Sequence, residues 1–408
     1  MSPLPTAPAP PPAHDAHLRT TYLAEVLRTL YPSQPESRSG GEGSREYLVL
    51  PHARRPRLLV PAGSRRAAAA AVRHGTEPRS WRARLVRAAA AAALRTGAAE
   101  MLPRDRVAVE VAGSLEHHLQ EAVLGGPTSL AIHIGPARAN RKPIAQLIDP
   151  AGQTTGFVKV GVGPLTRRLV RTETAALSTL SLLRLRQLTV PRVRHAGRWR
   201  GHQLLVQSAL PVWRRRARLY PERLALAMRE VAYCCGVDHG TLATSPYWKQ
   251  LVERVTTVAS QPEGATLASA LATLGERTGD LDLRYGAWHG DWAPWNMAVL
   301  PETLLVWDWE RFTVGVPLGF DAVHYDLQRN LQSSSDAAAA VRATLAATDR
   351  LLAPFDVTPP ARQATALLYL VDLAARYLTD RQAEAGARLG VLGTWLLPAL
   401  THQLENLP

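Results

Sequence analysis

The spacing of apolar residues divides the chain into three stretches. Residues 2–13 are rich in Pro and Ala with no apolar period, the composition of a disordered tail. A short helix is expected over Ala16–Leu30, followed by a flexible Gly-, Ser- and Pro-rich loop at 32–45. Two apolar runs, Tyr47–Leu50 and Arg57–Val60, are split by Pro51 and Pro56 and predict strands, paired as a hairpin. Ala-rich helices are expected over 64–74 and 79–98. From Ser129 the rhythm shortens. Ser129–Ile134, Ile144–Ile148 and Gly156–Val160 read as three strands, and Pro164 opens a helix to about Leu183. Two further strands are expected near Val190–Ala196 and Gln203–Gln207. After Pro211 the pattern turns helical, with apolar residues three and four apart. Tyr220–Cys234, Tyr247–Ala259, Ala265–Thr278, Ala337–Leu352, Pro360–Leu378 and Gln382–Leu400 are the expected helices. The fold class is therefore α+β, a small β-rich lobe followed by a mostly helical one.

Composition narrows the class. The chain has 408 residues, enough for two or three packed units, and its hydrophobic fraction of 46% is that of a globular protein. No apolar run reaches the length of a membrane span, and the N-terminus lacks a basic region followed by an apolar core. The two cysteines, Cys234 and Cys235, are adjacent, a spacing poorly suited to a disulfide and unlike any zinc pattern. A reduced, cytoplasmic setting is expected. The net charge is +14 and uneven: residues 211–408 hold 18 Lys and Arg against 21 Asp and Glu, a net of −3, so the first 210 residues carry +17. The arginines of that half are dispersed without interleaved aromatics, which argues against nucleic acid as the partner.

The chemistry concentrates in His289-Gly290-Asp291-Trp292-Ala293-Pro294-Trp295-Asn296 and in Val306-Trp307-Asp308-Trp309-Glu310. A carboxylate and a carboxamide stand five residues apart on a loop, and a second carboxylate ends an apolar strand twelve residues later. Phosphoryl transfer needs such a set: one carboxylate to accept a hydroxyl proton and two hard oxygen ligands for magnesium. The pattern resembles the aminoglycoside phosphotransferase branch of the protein-kinase-like superfamily, whose catalytic loop reads H-x-D-x-x-x-x-N. Asp308-Trp309-Glu310 matches the D-W-E form of that branch, and the likeness covers about residues 126–408.

The resemblance implies a bilobal protein-kinase-like fold. Residues 1–16 would be a Pro-rich tail, 17–125 an N-terminal extension, 126–209 the small lobe and 210–408 the helical lobe with the acceptor site. It implies Asp291 as catalytic base, His289 as the residue ordering its loop, and Asn296 and Asp308 as magnesium ligands. Lys159, one of three lysines in an Arg-rich chain, sits in the strand Phe157–Val160; it would hold the nucleotide phosphates, tied to Glu173. The adenine would meet the backbone at Gln207 and Ala209. Arg138, Arg141 or Lys142, in the loop 135–143, would lie near phosphate, although no G-x-G-x-x-G or Walker A pattern occurs. Asp321 would brace the catalytic loop. Trp292 and Trp295 are bulkier than the family's usual insert; they would either stack on an acceptor or pack under the loop.

The expected function is transfer of a phosphoryl group from ATP, or GTP, with Mg2+, to a hydroxyl of a small molecule. An antibiotic such as an aminoglycoside, modified as a means of resistance, is one candidate, and Glu310, Asp326, Asp372 and Asp380 would then meet its amino groups. Two alternatives stand beside it: a Ser/Thr peptide kinase in peptide natural-product assembly, and a catalytically dead kinase-like binding protein.

Overall fold

The computed structural model describes residues 12–33, 43–73, 81–97, 105–405 and 407. The tail expected at 2–13 and the loop at 32–45 lie largely outside these residues. The chain divides into two compact units, one of Pro10–Thr174 with Pro191–Arg214, the other of Ala175–Val190 with Arg215–Pro408.

The first unit is a layered sheet. Helix α1 (Pro12–Leu30) begins four residues before the expected start, with Pro12 at a position where a missing N–H costs nothing. Strands β1 (Ser44–Leu50) and β2 (Leu58–Pro61) form the expected antiparallel hairpin. Helices α2 (Arg65–Arg73) and α3 (Trp81–Thr96) follow, then β3 (Arg106–Glu110), which the apolar pattern did not reveal. A short helix α4 (Leu115–His118) leads to β4 (Ser129–His133), β5 (Ile144–Ile148) and β6 (Thr154–Gly161). Helix α5 (Pro164–Ser181) carries the boundary between the units. After β7 (Leu188–Thr189), a strand of the second unit, β8 (Val193–Trp199) and β9 (His202–Ser208) complete the first.

Eight strands join in one sheet, in the order β3-β1-β2-β4-β5-β6-β9-β8. The strands of residues 44–110 thus continue the sheet of the small lobe, antiparallel throughout. Strand alternation gives this sheet two apolar faces. Tyr47, Val49, Leu59, Leu130, Leu147 and Val158 pack with Tyr22, Val26 and Leu30 of α1. Leu48, Val60, Ala131 and Ile148 point the other way and pack with Ala67–Ala71 of α2 and Leu94 of α3. The run of alanines lets α2 lie close on the strands.

The second unit is mainly helical. Helix α6 (Pro221–Tyr233) is followed by strand β10 (Asp238–Thr241) and then by α7 (Pro246–Val258) and α8 (Gly264–Thr278). Strand β11 (Asp282–Trp288) precedes the motif loop, and β12 (Met297–Val299) with β13 (Leu304–Val306) forms a hairpin after it. Strand β14 (Thr313–Pro317) pairs with β11 and runs into α9 (Phe320–Ser333). Helices α10 (Ala337–Ala346) and α11 (Thr348–Leu352) split the single helix expected there. Helix α12 (Pro359–Thr379) is buried along most of its length and organises the core with α7, α8, α9 and α13 (Leu396–Glu405). The helix expected over Gln382–Leu400 forms only from Leu396. Arg381 and Gly386 take positive φ, and Gly390 and Gly393 add backbone freedom, so the apolar spacing there never closes a regular helix. No helix among the described residues is long and apolar enough to cross a membrane.

Leu30 is fully buried at the end of α1 against the sheet. Leu30→Ala is expected to cost about 2–5 kcal/mol, read as a lower urea midpoint. An unchanged midpoint would mean that α1 is not integral to the first unit.

Candidate active site

The motif loop begins where β11 ends, and its backbone is tied down on every side. Gly290 has φ +81°, and a Cβ there would collide with the carbonyl of Arg311, so only glycine fits. Asp321, in the first turn of α9, accepts the N–H of His289 at 2.7 Å and that of Gly290 at 3.1 Å, one on each oxygen. Arg376 of α12 donates to the Gly290 carbonyl at 2.6 Å. Asp321 thereby takes the bracing position expected for it. Burial, and next the like charge of Asp291, work against the two N–H donors and push its carboxyl up to about 7.

His289 orders the loop from within. Its Nδ1 accepts the Asp291 N–H at 3.1 Å, so the ring proton must sit on Nε2, which then donates to the Trp307 carbonyl at 3.1 Å. Burial holds the imidazole neutral, with a pKa of about 4. The ring lies 4.5 Å from that of Trp309 and 5.8 Å from that of Trp292. Trp292 is fully buried and packs under the loop, whereas Trp295 is half-buried.

Asp291 lies in the second unit with its carboxylate 28% exposed. The Asn296 amide donates through Nδ2 to the Asp291 carbonyl at 2.9 Å and to Oδ2 at 3.1 Å. Both contacts require the nitrogen, so the carbonyl oxygen of Asn296 is turned away from Asp291. The hairpin brings Asp308 to the same end. Met297 pairs with Val306, and the Trp307 N–H donates to the backbone carbonyl of Asn296 at 3.0 Å, so Asp308, the next residue, is brought to the end of the hairpin where Asn296 lies. Asp308 itself has φ +75°, a strained conformation that Asp tolerates better than most residues. An amide oxygen and a carboxylate are hard ligands that fit a divalent cation such as magnesium.

Sequence reasoning missed three side chains around Asp291. His324, fully buried on α9, places Nε2 3.2 Å from Asp291 Oδ1. Its Nδ1 lies 2.8 Å from the hydroxyl of Tyr369, on α12. Arg376 is the third. Burial alone would raise the Asp291 carboxyl, but His324 and Arg376 outweigh it and hold it below its usual range. No local signal marks these residues, because they come from helices far along the chain.

In the first unit, Lys159 and Glu173 form the expected pair, with Nζ 2.6 and 2.7 Å from the two carboxylate oxygens, both residues buried. Gln207 is buried in β9, and the Ala209 N–H donates to the Thr155 carbonyl at 3.2 Å. Arg141 lies 3.7 Å over the ring of Tyr22 and Lys142 is buried, leaving Arg138 the exposed cation of its loop.

The acids expected to meet amino groups are largely engaged. Asp372 accepts both guanidinium nitrogens of Arg254, at 3.2 and 2.7 Å. Asp380 pairs with Arg311, and Asp326 accepts from Arg329, Asn330 and Thr344. Glu310 is buried.

No family model matches the chain, and no curated protein matches it. Among solved structures it is similar to kinases and phosphotransferases. A thermostable mutant of aminoglycoside phosphotransferase APH(4)-Ia, in ternary complex with ADP and hygromycin B, shares 14% identity over 71% of this chain and 98% of that one, with a TM-score of 0.46. Amicoumacin kinase hAmiN, in complex with AMP-PNP, Ca2+ and Ami, shares 10% identity over 66% and 86% of the two chains, with a TM-score of 0.40. Choline kinase LicA from Streptococcus pneumoniae shares 13% over 64% and 89%, also at 0.40.

The neutral, buried His289 makes the fold sensitive to acid. The unfolded imidazole gains a proton below about 6.5 and the folded one below about 4. Between those values the unfolded state binds more protons, so stability falls as pH drops through the window. His133, also held near 4 by burial, adds a second such slope, and Asp321, raised to about 7, opposes the two in part because its folded carboxyl binds a proton across the same window. Urea midpoints from pH 7 to 4 are expected to decline, and the decline should flatten in His289→Gln. An equal slope in that variant would contradict the assignment.

Proposed function

We propose that the chain is a kinase that transfers the γ-phosphoryl group of ATP to a hydroxyl of a small molecule. The observation that carries this reading is the locked pair of Asp291 and Asn296. One side chain offers a charged, partly exposed carboxylate as base, while the other spends its amide nitrogen on that base and keeps its carbonyl oxygen for a cation. The acceptor oxygen attacks the γ-phosphorus, the bond to the β–γ bridging oxygen breaks, ADP leaves, and Asp291 takes the hydroxyl proton. Asn296 and Asp308 would hold magnesium, which neutralises phosphate charge when bound. Lys159, fixed by Glu173, is the cation for the nucleotide phosphates.

A polycationic acceptor is the less favoured class, because Asp326, Asp372 and Asp380 already have cationic partners. The fit is better to an acceptor with few amino groups.

The test is transfer from ATP and from GTP, with magnesium, to a panel of aminoglycosides, macrolides, nucleoside antibiotics and Ser/Thr peptides, read by mass spectrometry. One acceptor should gain a phosphate. Asp291→Asn is expected to lower that rate by about 10²–10⁴-fold while nucleotide binding persists. A chain that neither binds magnesium-ATP nor transfers phosphate would be a binding protein of another kind.

A further inference from the structure

Among the described residues no Lys or Arg forms an ion pair with the Asp291 carboxylate, yet the carboxylate is not left to orient itself. Its Oδ2 receives Asn296 and its Oδ1 faces His324. We propose that His324, fixed by Tyr369, is a positioning residue that donates a hydrogen bond from Nε2 to Asp291 and sets the orientation of the base. This rests on the phosphotransferase reading above.

The argument is one of proton counting. Tyr369 is fully buried, and burial keeps its phenol protonated far above neutral pH. Its hydroxyl can therefore donate to Nδ1 of His324 at 2.8 Å. If Nδ1 accepts, the one proton of a neutral imidazole sits on Nε2, facing the carboxylate. The opposite tautomer would set a nitrogen lone pair 3.2 Å from a carboxylate oxygen, two acceptors in contact. A doubly protonated ring is disfavoured by burial and then by the nearby Arg376, although Asp291 works the other way. The groups facing the ring are thus Asp291, Tyr369, Arg376 and, through space, His289. The Nε2–H is within reach of Oδ1 but is not aimed straight along the line to it. Hydrogen bonds of catalytic groups are often misaligned before substrate binds and tighten in the complex.

The arrangement leaves a definite task for each oxygen. With Oδ1 receiving His324, the free lone pair of Oδ2, beside Asn296, is the one that meets the acceptor hydroxyl. His324 does not take the transferred proton, since Nε2 already carries one and Nδ1 is filled by the tyrosine.

Two measurements test this on the full chain. The first is the ring tautomer of His324 by 15N NMR, with the signal assigned by its loss in His324→Gln. The Nε2–H tautomer is expected; the Nδ1–H tautomer would overturn the proposal. The second is the pH–rate profile of magnesium-ATP hydrolysis with water as acceptor. His324→Phe is expected to lower the rate on the order of 100-fold, the scale of a misplaced catalytic group, and to move the acid limb to higher pH. His324→Gln, whose amide N–H reaches the place of Nε2–H, should recover most of the rate and return the limb. Tyr369→Phe should give a smaller shift in the same direction, and it serves if His324→Phe does not fold. An acid limb unmoved in both His324→Phe and Tyr369→Phe would overturn the proposal. A wild-type chain that hydrolyses no ATP would instead count against the phosphotransferase reading, while the tautomer still decides the hydrogen bond.

Discussion

The site hangs on two backbone N–H groups and one carboxylate. The turn after β11 leaves the amides of His289 and Gly290 pointing inward, away from water, and a buried donor without a partner costs about 1–3 kcal/mol. Asp321 satisfies both at once. That contact fixes the end of β11 to the start of α9, a link across some thirty residues of chain. Everything placed by the loop follows from it. The Asp291 N–H is set against the His289 ring, the ring reaches the Trp307 carbonyl, and Trp307 holds Asn296 through the hairpin. His324, one turn beyond Asp321 on α9, arrives beside Asp291 because the same helix supplies both.

The parts of this site that act through neighbours in sequence were legible. Asp291, Asn296 and Asp308 lie on one loop and one hairpin, where spacing alone puts them together. Lys159 and Glu173 were legible for a similar reason, a strand followed at once by a helix whose apolar face includes the glutamate. The strands of the first unit other than β3 alternate strongly enough to announce themselves. Helix α9 is not among the helices expected from the sequence, although Phe320, Val323, Leu327 and Leu331 give it a plain apolar stripe. With α9 went His324.

Charge pairing was the part that no local reading could reach. Asp372 is held by Arg254, 118 residues away. Asp380 is tied to Arg311 over 69 residues. A carboxylate on an apolar helix face carries a strong demand for a partner, because burying it alone is expensive. The sequence shows that demand but cannot say whether the partner is another part of the protein or a ligand. Only the packing of α7 and the motif loop around α12 answers it.

The same demand explains the character of the cations around Asp291. A guanidinium placed directly on the carboxylate would hold its charge so firmly that the carboxylate would lose its affinity for a proton. The structure sets Arg376 on the neighbouring Gly290 carbonyl instead, and gives the carboxylate itself a neutral imidazole and an amide. The charge is then stable in a mostly buried site, yet the partners are dipoles that do not cancel it. The base proposed above would need that balance: ionised when the substrate arrives, and still able to accept the proton as the bond to phosphorus forms. Burial of His324 and His289 is what keeps those imidazoles neutral, so the apolar packing beneath the loop shapes the charge around Asp291 as well as the fold.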